Sequence, residues 1–422
     1  MTQLLTLGRH RWGLTLAAAA ASVIAPAASQ AVEITAGDWK FTASGNVNAH
    51  YIVSQCDDSA PVVVGGGLAC TATPGQDDSS SSVSNGLLPA ALAISASTTQ
   101  AGYDLNATFG LFPGIATNDG GSPNIKQSGS FGSNTALGTT GLDIRQVYLT
   151  FGNDHMGTVL VGRNIGLFGA DVILGDMTLL GVGTVGSNAA PANTSLGSIG
   201  LGYIYTDWLA QINYTTPNFN GLKFTVGIFD PIEPAGLAQP VIGATPKSAP
   251  GFHGKVAYTL GDLYLSATFL TQKQKGLTSA ADFDSTAFDL GGKYKVANFE
   301  FMAYYYNGSG VGTTALFFDA SDLAGHERDS DGFLAQVTYT LGQTKFGLNY
   351  GESNLDLASG ESATLASQGL LVKKNSKYTL GVYHKMTDNL TLLGEYTDTK
   401  SENHLGQDNK AKSFNVGAFL AF

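Results

Sequence analysis

Apolar and polar residues alternate along much of this chain with a period of two. Between residues 39 and 53, Trp39, Phe41, Ala43, Gly45, Val47, Ala49, Tyr51 and Val53 take the odd positions, and Lys40, Thr42, Ser44, Asn46, Asn48 and His50 lie between them. That period marks a strand with one apolar face. Strands of soluble domains usually stop after about 5–6 residues, whereas a strand that crosses a bilayer needs about 9–11. Rows of the same kind run from Tyr103 to Leu111, Leu222 to Ile228, Phe252 to Leu260, Phe288 to Val296 and Phe333 to Leu341, and another begins at Tyr378. The chain closes on one more: Phe414, Val416, Ala418, Leu420 and Phe422 share a parity.

Some rows are joined by short links, Gly261-Asp262, Ala297-Asn298, Gly342-Gln343 and Thr387-Asp388-Asn389. Others are separated by long polar stretches at 54–86, 113–141, 165–200, 231–250, 308–331 and 352–375. Long strands with two-sided chemistry, joined by turns and loops in alternation, predict an all-β fold. It is a transmembrane antiparallel β-barrel of about 16 strands, with long external loops and short periplasmic turns. Closure is required because an open sheet edge cannot satisfy its backbone polar groups in lipid.

The N-terminus adds an address. Arg9, His10 and Arg11 precede an apolar run from Gly13 to Ala28, and Ser29 and Ala31 supply the small residues of a cleavage site. Residues 1–31 are therefore expected to be a signal peptide, leaving 32–422 as the barrel. Only 13% of residues are charged, Gly numbers 54 and Pro 13, against about 25% charged residues in a typical soluble domain. The net charge of −11 argues against nucleic acid as a partner. The two cysteines, Cys56 and Cys70, sit in one Gly/Ser-rich segment of an exported chain, where a local disulfide is expected. No further Cys or His lies nearby to make a metal site, and no metal or cofactor is expected.

At Ile144-Arg-Gln-Val-Tyr-Leu-Thr-Phe-Gly152, and through the following Gly157-Thr158 and Gly162-Arg163, the sequence resembles the Gram-negative trimeric general porins. Tyr214-Thr-Thr-Pro-Asn-Phe-Asn-Gly-Leu-Lys-Phe224 looks like a turn of the same family, and the terminal Phe422 is similar to its assembly signal. The resemblance implies a homotrimer in outer-membrane lipid, delivered by the barrel-assembly machinery, that passes small hydrophilic solutes and ions. It also implies an inward-folded third loop whose acids face a basic wall at a pore constriction. Arg145 and Arg163 match two arginines of that wall, and Asp171 and Asp176 are the acids available on the loop. The family's Pro-Glu-Phe-Gly-Gly acid has no counterpart, since Leu180-Gly-Val-Gly183 stands in its place. The parity of Arg145 stays open: placing it inside sends Val147 and Leu149 inside as well.

Other motifs carry less. Gly181-Val-Gly-Thr-Val-Gly186 matches a dinucleotide fingerprint, but Ser187-Asn-Ala-Ala-Pro191 follows it and offers no helix. His50, His253 and His384 fall on predicted strands with no nucleophile motif beside them, so no enzyme is expected. The reading is an outer-membrane porin for passive diffusion. The alternatives are a substrate-selective channel of the same fold, or a barrel serving as an enzyme or adhesin. The acid excess predicts a mild cation preference, with Asp171 or Asp176 contributing.

Overall fold

The computed structural model describes residues 31–57, 63, 65–70, 78–115, 142–185, 193–234, 249–275, 282–322, 324–363 and 371–422. The expected signal segment lies almost wholly outside them, as does most of the predicted loop 113–141. The strands of the first half are β1 (Val32–Ala36), β2 (Trp39–Cys56), β3 (Ser79–Ser84), β4 (Ala91–Gln100), β5 (Tyr103–Pro113), β6 (Leu142–Asn153), β7 (Gly157–Ile165), β8 (Trp208–Thr215) and β9 (Leu222–Phe229). Those of the second half are β10 (Gly251–Leu260), β11 (Leu263–Gln274), β12 (Phe283–Val296), β13 (Phe299–Ser309), β14 (Asp329–Leu341), β15 (Thr344–Leu355), β16 (Val372–Lys385), β17 (Leu390–Asn403) and β18 (Asp408–Ala421).

These eighteen segments form one sheet, closed where β18 pairs antiparallel with β2. They occupy sixteen wall positions. One edge of β2 takes β4 at residues 40–46 and β3 at 50–55. The other edge takes β1 at 39–43 and β18 at 46–56. Each of these two pairs shares one place in the wall, so eighteen segments make sixteen positions. The predicted rows all lie on strands, and the four short links are the turns between β10 and β11, β12 and β13, β14 and β15, and β16 and β17. One correction concerns β3, which lies inside the segment 54–86 read as loop. Its sequence, five serines and Val83, has no apolar alternation to mark it; only its pairing with β2 makes it a strand.

The barrel is inside out relative to a soluble protein. Val47, Tyr51, Phe109, Phe224, Phe269, Leu290, Phe346, Leu380 and Val416 are exposed on the outer face, while Asn46, Asn48, Thr108, Asn213, Gln336, Asn349, Thr397 and Asn415 are buried on the inner one. Left in water, such an apolar belt would cost about 25 cal/mol per Å²; in lipid that cost vanishes. The two chain ends meet in the wall. Phe422 and Gly45 exchange backbone hydrogen bonds of 2.8 and 3.0 Å. The Phe422 ring lies where a side chain at position 45 would stand, 2.8 Å from the point a Cβ there would occupy, so glycine is what admits it.

The apolar core sits inside the barrel. Phe168, Val172, Ile173, Ile199, Tyr203 and Ile204 of the segment between β7 and β8 pack against Leu270, Met302, Tyr304, Tyr306 and Leu334 of the wall. The segment carries a one-and-a-half-turn helix, α1 (Ala170–Gly175), and a 3-10 turn, Met177–Leu180. The loop between β7 and β8 therefore folds inward.

Candidate pore constriction

The inward loop is tied to nearly every strand of the second half. The Gly169 amide donates to Asp289 Oδ2 on β12 at 2.7 Å. The Met177 amide donates to Gln336 Oε1 on β14 at 2.9 Å, and Gln336 Nε2 returns a bond to the Gly175 carbonyl at 2.8 Å. On β17, Glu395 Oε2 accepts from the Val182 and Gly183 amides at 2.8 and 2.9 Å, and Oε1 accepts from the Tyr383 hydroxyl at 2.6 Å. Lys377 on β16 donates to the carbonyls of Gly183 and Gly197, the latter at 2.7 Å. On the other side, the Leu87 and Leu88 amides donate to the carbonyls of Gly181 and Leu179. These bonds matter because backbone groups of the loop that pack against the wall are shielded from the pore water, so the wall must supply partners.

The four residues expected at the constriction fare differently. Arg145 faces inward. A bulge in the β5–β6 pairing at Gly110/Leu111 leaves Arg145 without a cross-strand partner and turns both Arg145 and Gln146 to the buried face, while Ile144 and Val147 stay outside. The parity conflict in the sequence is resolved by one extra residue. Its guanidinium pairs with Asp143 at 2.6 Å, donates to Asn193 Oδ1 at 2.7 Å, and lies 5.2 Å from the centre of the Phe112 ring.

Arg163 is placed elsewhere. It is exposed and stands in register with Val147 and Ala210, both outward. The strand's inner face is Leu160, Gly162 and Asn164, so strand parity carries Arg163 out of the lumen.

Asp171, on α1, pairs with Lys255 of β10 at 2.6 Å and accepts from the Tyr264 hydroxyl of β11 at 2.8 Å. Burial pushes its carboxyl up, but the Lys255 charge and these hydrogen bonds outweigh burial and hold it below the usual carboxylate range. Asp176 is internal to the loop. Oδ1 accepts from the Thr178 amide and hydroxyl at 2.9 and 2.8 Å, and Oδ2 from the Tyr203 hydroxyl at 2.9 Å and the Ser198 amide at 3.2 Å. It caps the 3-10 turn and ties the two limbs of the loop together. Neither acid presents a free carboxylate to the passage.

Two chambers of the lumen adjoin the loop. The one at the long-loop end, about 230 Å³, is walled mainly by hydrocarbon, with Arg145 among its lining residues. The one at the short-turn end, about 190 Å³, is lined by Asp176, Lys293, Glu300, Gln336, Thr338 and Lys345 together with apolar residues of the loop. Leu174 and Leu179 of the loop line both and so lie between them. Lys293 lies over the Tyr264 ring and Lys345 over that of Tyr383, at 5.8 and 4.7 Å from the centroids. Neither makes an ion pair among the described residues. Sequence reasoning passed over both, although the outward row Phe288 to Val296 put Lys293 on the inner face.

Cys56 and Cys70 are joined with a Cα–Cα distance of 5.7 Å, inside the usual range for a disulfide.

A family model described as Gram-negative porin matches residues 13–404. No curated protein matches the chain. Among solved structures, the outer membrane channel DcaP of Acinetobacter baumannii is similar at a TM-score of 0.66 and 17% identity, covering 92% of this chain and 99% of that one. An anion-selective porin from Comamonas acidovorans gives 0.60 at 16% identity, covering 91% and 100%. OmpF of Salmonella typhi gives 0.57 at 12%, covering 93% and 100%. At such identities the likeness is one of fold.

Proposed function

The chain belongs to the Gram-negative porin family and is an outer-membrane channel for passive diffusion, and we propose that small anions traverse it more readily than cations. The observation that carries this reading is the inner face at the short-turn end. Lys223, on the same face of β9 as Gly227 and Phe229, joins Lys293 and Lys345 there, and none of the three makes an ion pair among the described residues. Two acids line the same chamber: Glu300 is paired with Lys295 at 3.1 Å, and the Asp176 carboxylate is taken up by donors of the loop. A low-dielectric wall focuses the field of such charges along the passage. The expected cation preference rested on the acid excess, with Asp171 or Asp176 contributing, and both of these carboxylates are engaged. The excess acid of the whole chain then acts from elsewhere, where salt at about 0.15 M screens it within roughly 8 Å. A reversal potential across a potassium chloride gradient tests the reading. Chloride preference is expected; a potassium preference would overturn it.

Arg145, Leu174 and Leu179 are the constriction in this proposal, and Arg163 has no part in it. We further infer that the mature chain begins at Val32, assembles as a homotrimer, depends on Phe422 for recognition by the assembly machinery, and carries a Cys56–Cys70 disulfide. N-terminal sequencing, an unboiled gel, outer-membrane levels after deletion of Phe422 and thiol titration of the unfolded protein check these in turn. The family and fold are those of a channel, and we propose no catalytic role.

A further inference from the structure

The chamber at the long-loop end has the wrong walls for a passage that carries only hydrophilic solutes. Phe112, Ile173, Leu196, Ile199, Trp208 and Phe318 enclose about 230 Å³, and an apolar cavity of roughly 150 Å³ is enough to hold benzene. The few polar groups of the lining are taken up or turned away. The Thr194 and Ser195 hydroxyls donate to the Leu87 and Val182 carbonyls at 2.6 and 2.7 Å, and the Thr314 hydroxyl is buried against Gly200, away from the chamber. The Arg145 guanidinium has its Nε on Asp143 and its Nη2 on Asn193, so its charge is already balanced at contact distance. An anion entering here would place a second negative charge beside Asp143 in apolar surroundings, which is unfavourable. A sugar would bring more hydroxyls than the walls have partners for, each left unsatisfied at a cost.

We propose that this chamber binds an uncharged, compact, mainly apolar solute, such as a single-ring alcohol, held by its hydrocarbon walls. The site holds such molecules directly above the Leu174–Leu179 neck. It stands independently of the anion preference, which rests on the other chamber.

Trp208 in the wall supplies a readout. In a Trp39→Phe background, which removes the lipid-facing indole, the protein purified from outer membranes is titrated with 4-nitrobenzyl alcohol, whose nitro ring quenches indole fluorescence on contact. Saturable quenching is expected. Ala315→Phe, which fills the chamber from its own wall, should weaken binding at least tenfold. The variant must keep the heat-modifiable gel mobility of the folded barrel. Quenching that rises linearly with the same slope in the parent and in Ala315→Phe would overturn the site. Tighter binding of 4-nitrobenzoate than of the alcohol would overturn the assignment to uncharged solutes.

Discussion

The two chambers share a wall of two leucines and little else. Above Leu174 and Leu179 the lining is hydrocarbon, and its arginine is held by Asp143 and Asn193. Below them the lining is more polar, and its lysines stand over aromatic rings while Glu300 and Asp176 are engaged by other partners. The same loop builds both. Its α1 and 3-10 turn present Leu174 and Leu179 to the passage while Asp171 and Asp176 turn to the wall and into the loop itself. On the proposed reading, size and charge selection fall to different residues, and the net charge of −11 predicts neither. In a pore, position relative to the passage outweighs the total.

The most severe way to break the contrast is to remove what separates the chambers. Shortening the loop by residues 178–200 should merge them and raise single-channel conductance roughly fivefold, since a 16-stranded wall by itself encloses an aqueous channel. Unchanged conductance would place the loop's bulk outside the ion path. A narrower change sharpens the contrast. Lys293→Gln with Lys345→Gln should lower the chloride-to-potassium permeability ratio by roughly threefold, with conductance in symmetric salt nearly unaltered. Leu174→Ala with Leu179→Ala should do the reverse, raising conductance by about half because the apolar neck widens, with the reversal potential unmoved. If the leucine pair shifts the reversal potential as much as the lysine pair does, charge and size are not separately placed.

The outer face was open to view in the sequence because lipid imposes a local rule, one apolar residue in every two, and each row obeys it alone. The inner face obeys no such rule. Arg145 could not be oriented from its own strand, since the bulge that turns it depends on how β5 and β6 are registered. Asp176 read as an available pore acid because its five donors, from Thr178, Ser198, Tyr203 and Asn349, are brought to it only when the loop folds against the wall. Glu395 and Lys377, which hold the loop, were lost among ordinary strand residues for the same reason: their partners are some 180 to 213 residues away. Lys293 is the exception. Its inward parity followed from the outward row Phe288 to Val296 and needed only to be counted.

The smallest effect expected concerns the pair that pins α1 to the wall. Asp171 is held below its ordinary value, near about 3.9 for a free aspartate, by Lys255 and Tyr264 against the opposing pull of burial. For a carboxyl so depressed, the anchoring it contributes is complete above the ordinary value and is lost only as pH falls through the lower, folded one. Conductance and its voltage dependence should therefore be flat from neutral pH down to about 4 as far as this pair is concerned, and loosen below that. Asp171→Asn keeps the shape and the Tyr264 hydrogen bond but removes the charge. At neutral pH it should show the lowered closing voltage that the unaltered channel reaches only in acid, and it should lose the acid step itself. A variant that still shows the step would move its origin to another carboxylate, and one with an unchanged closing voltage would mean that Glu395 and Gln336 hold the loop without help from α1. The passage should keep its chloride preference throughout, because the lysines of the lower chamber lie beyond the neck and do not depend on this anchor.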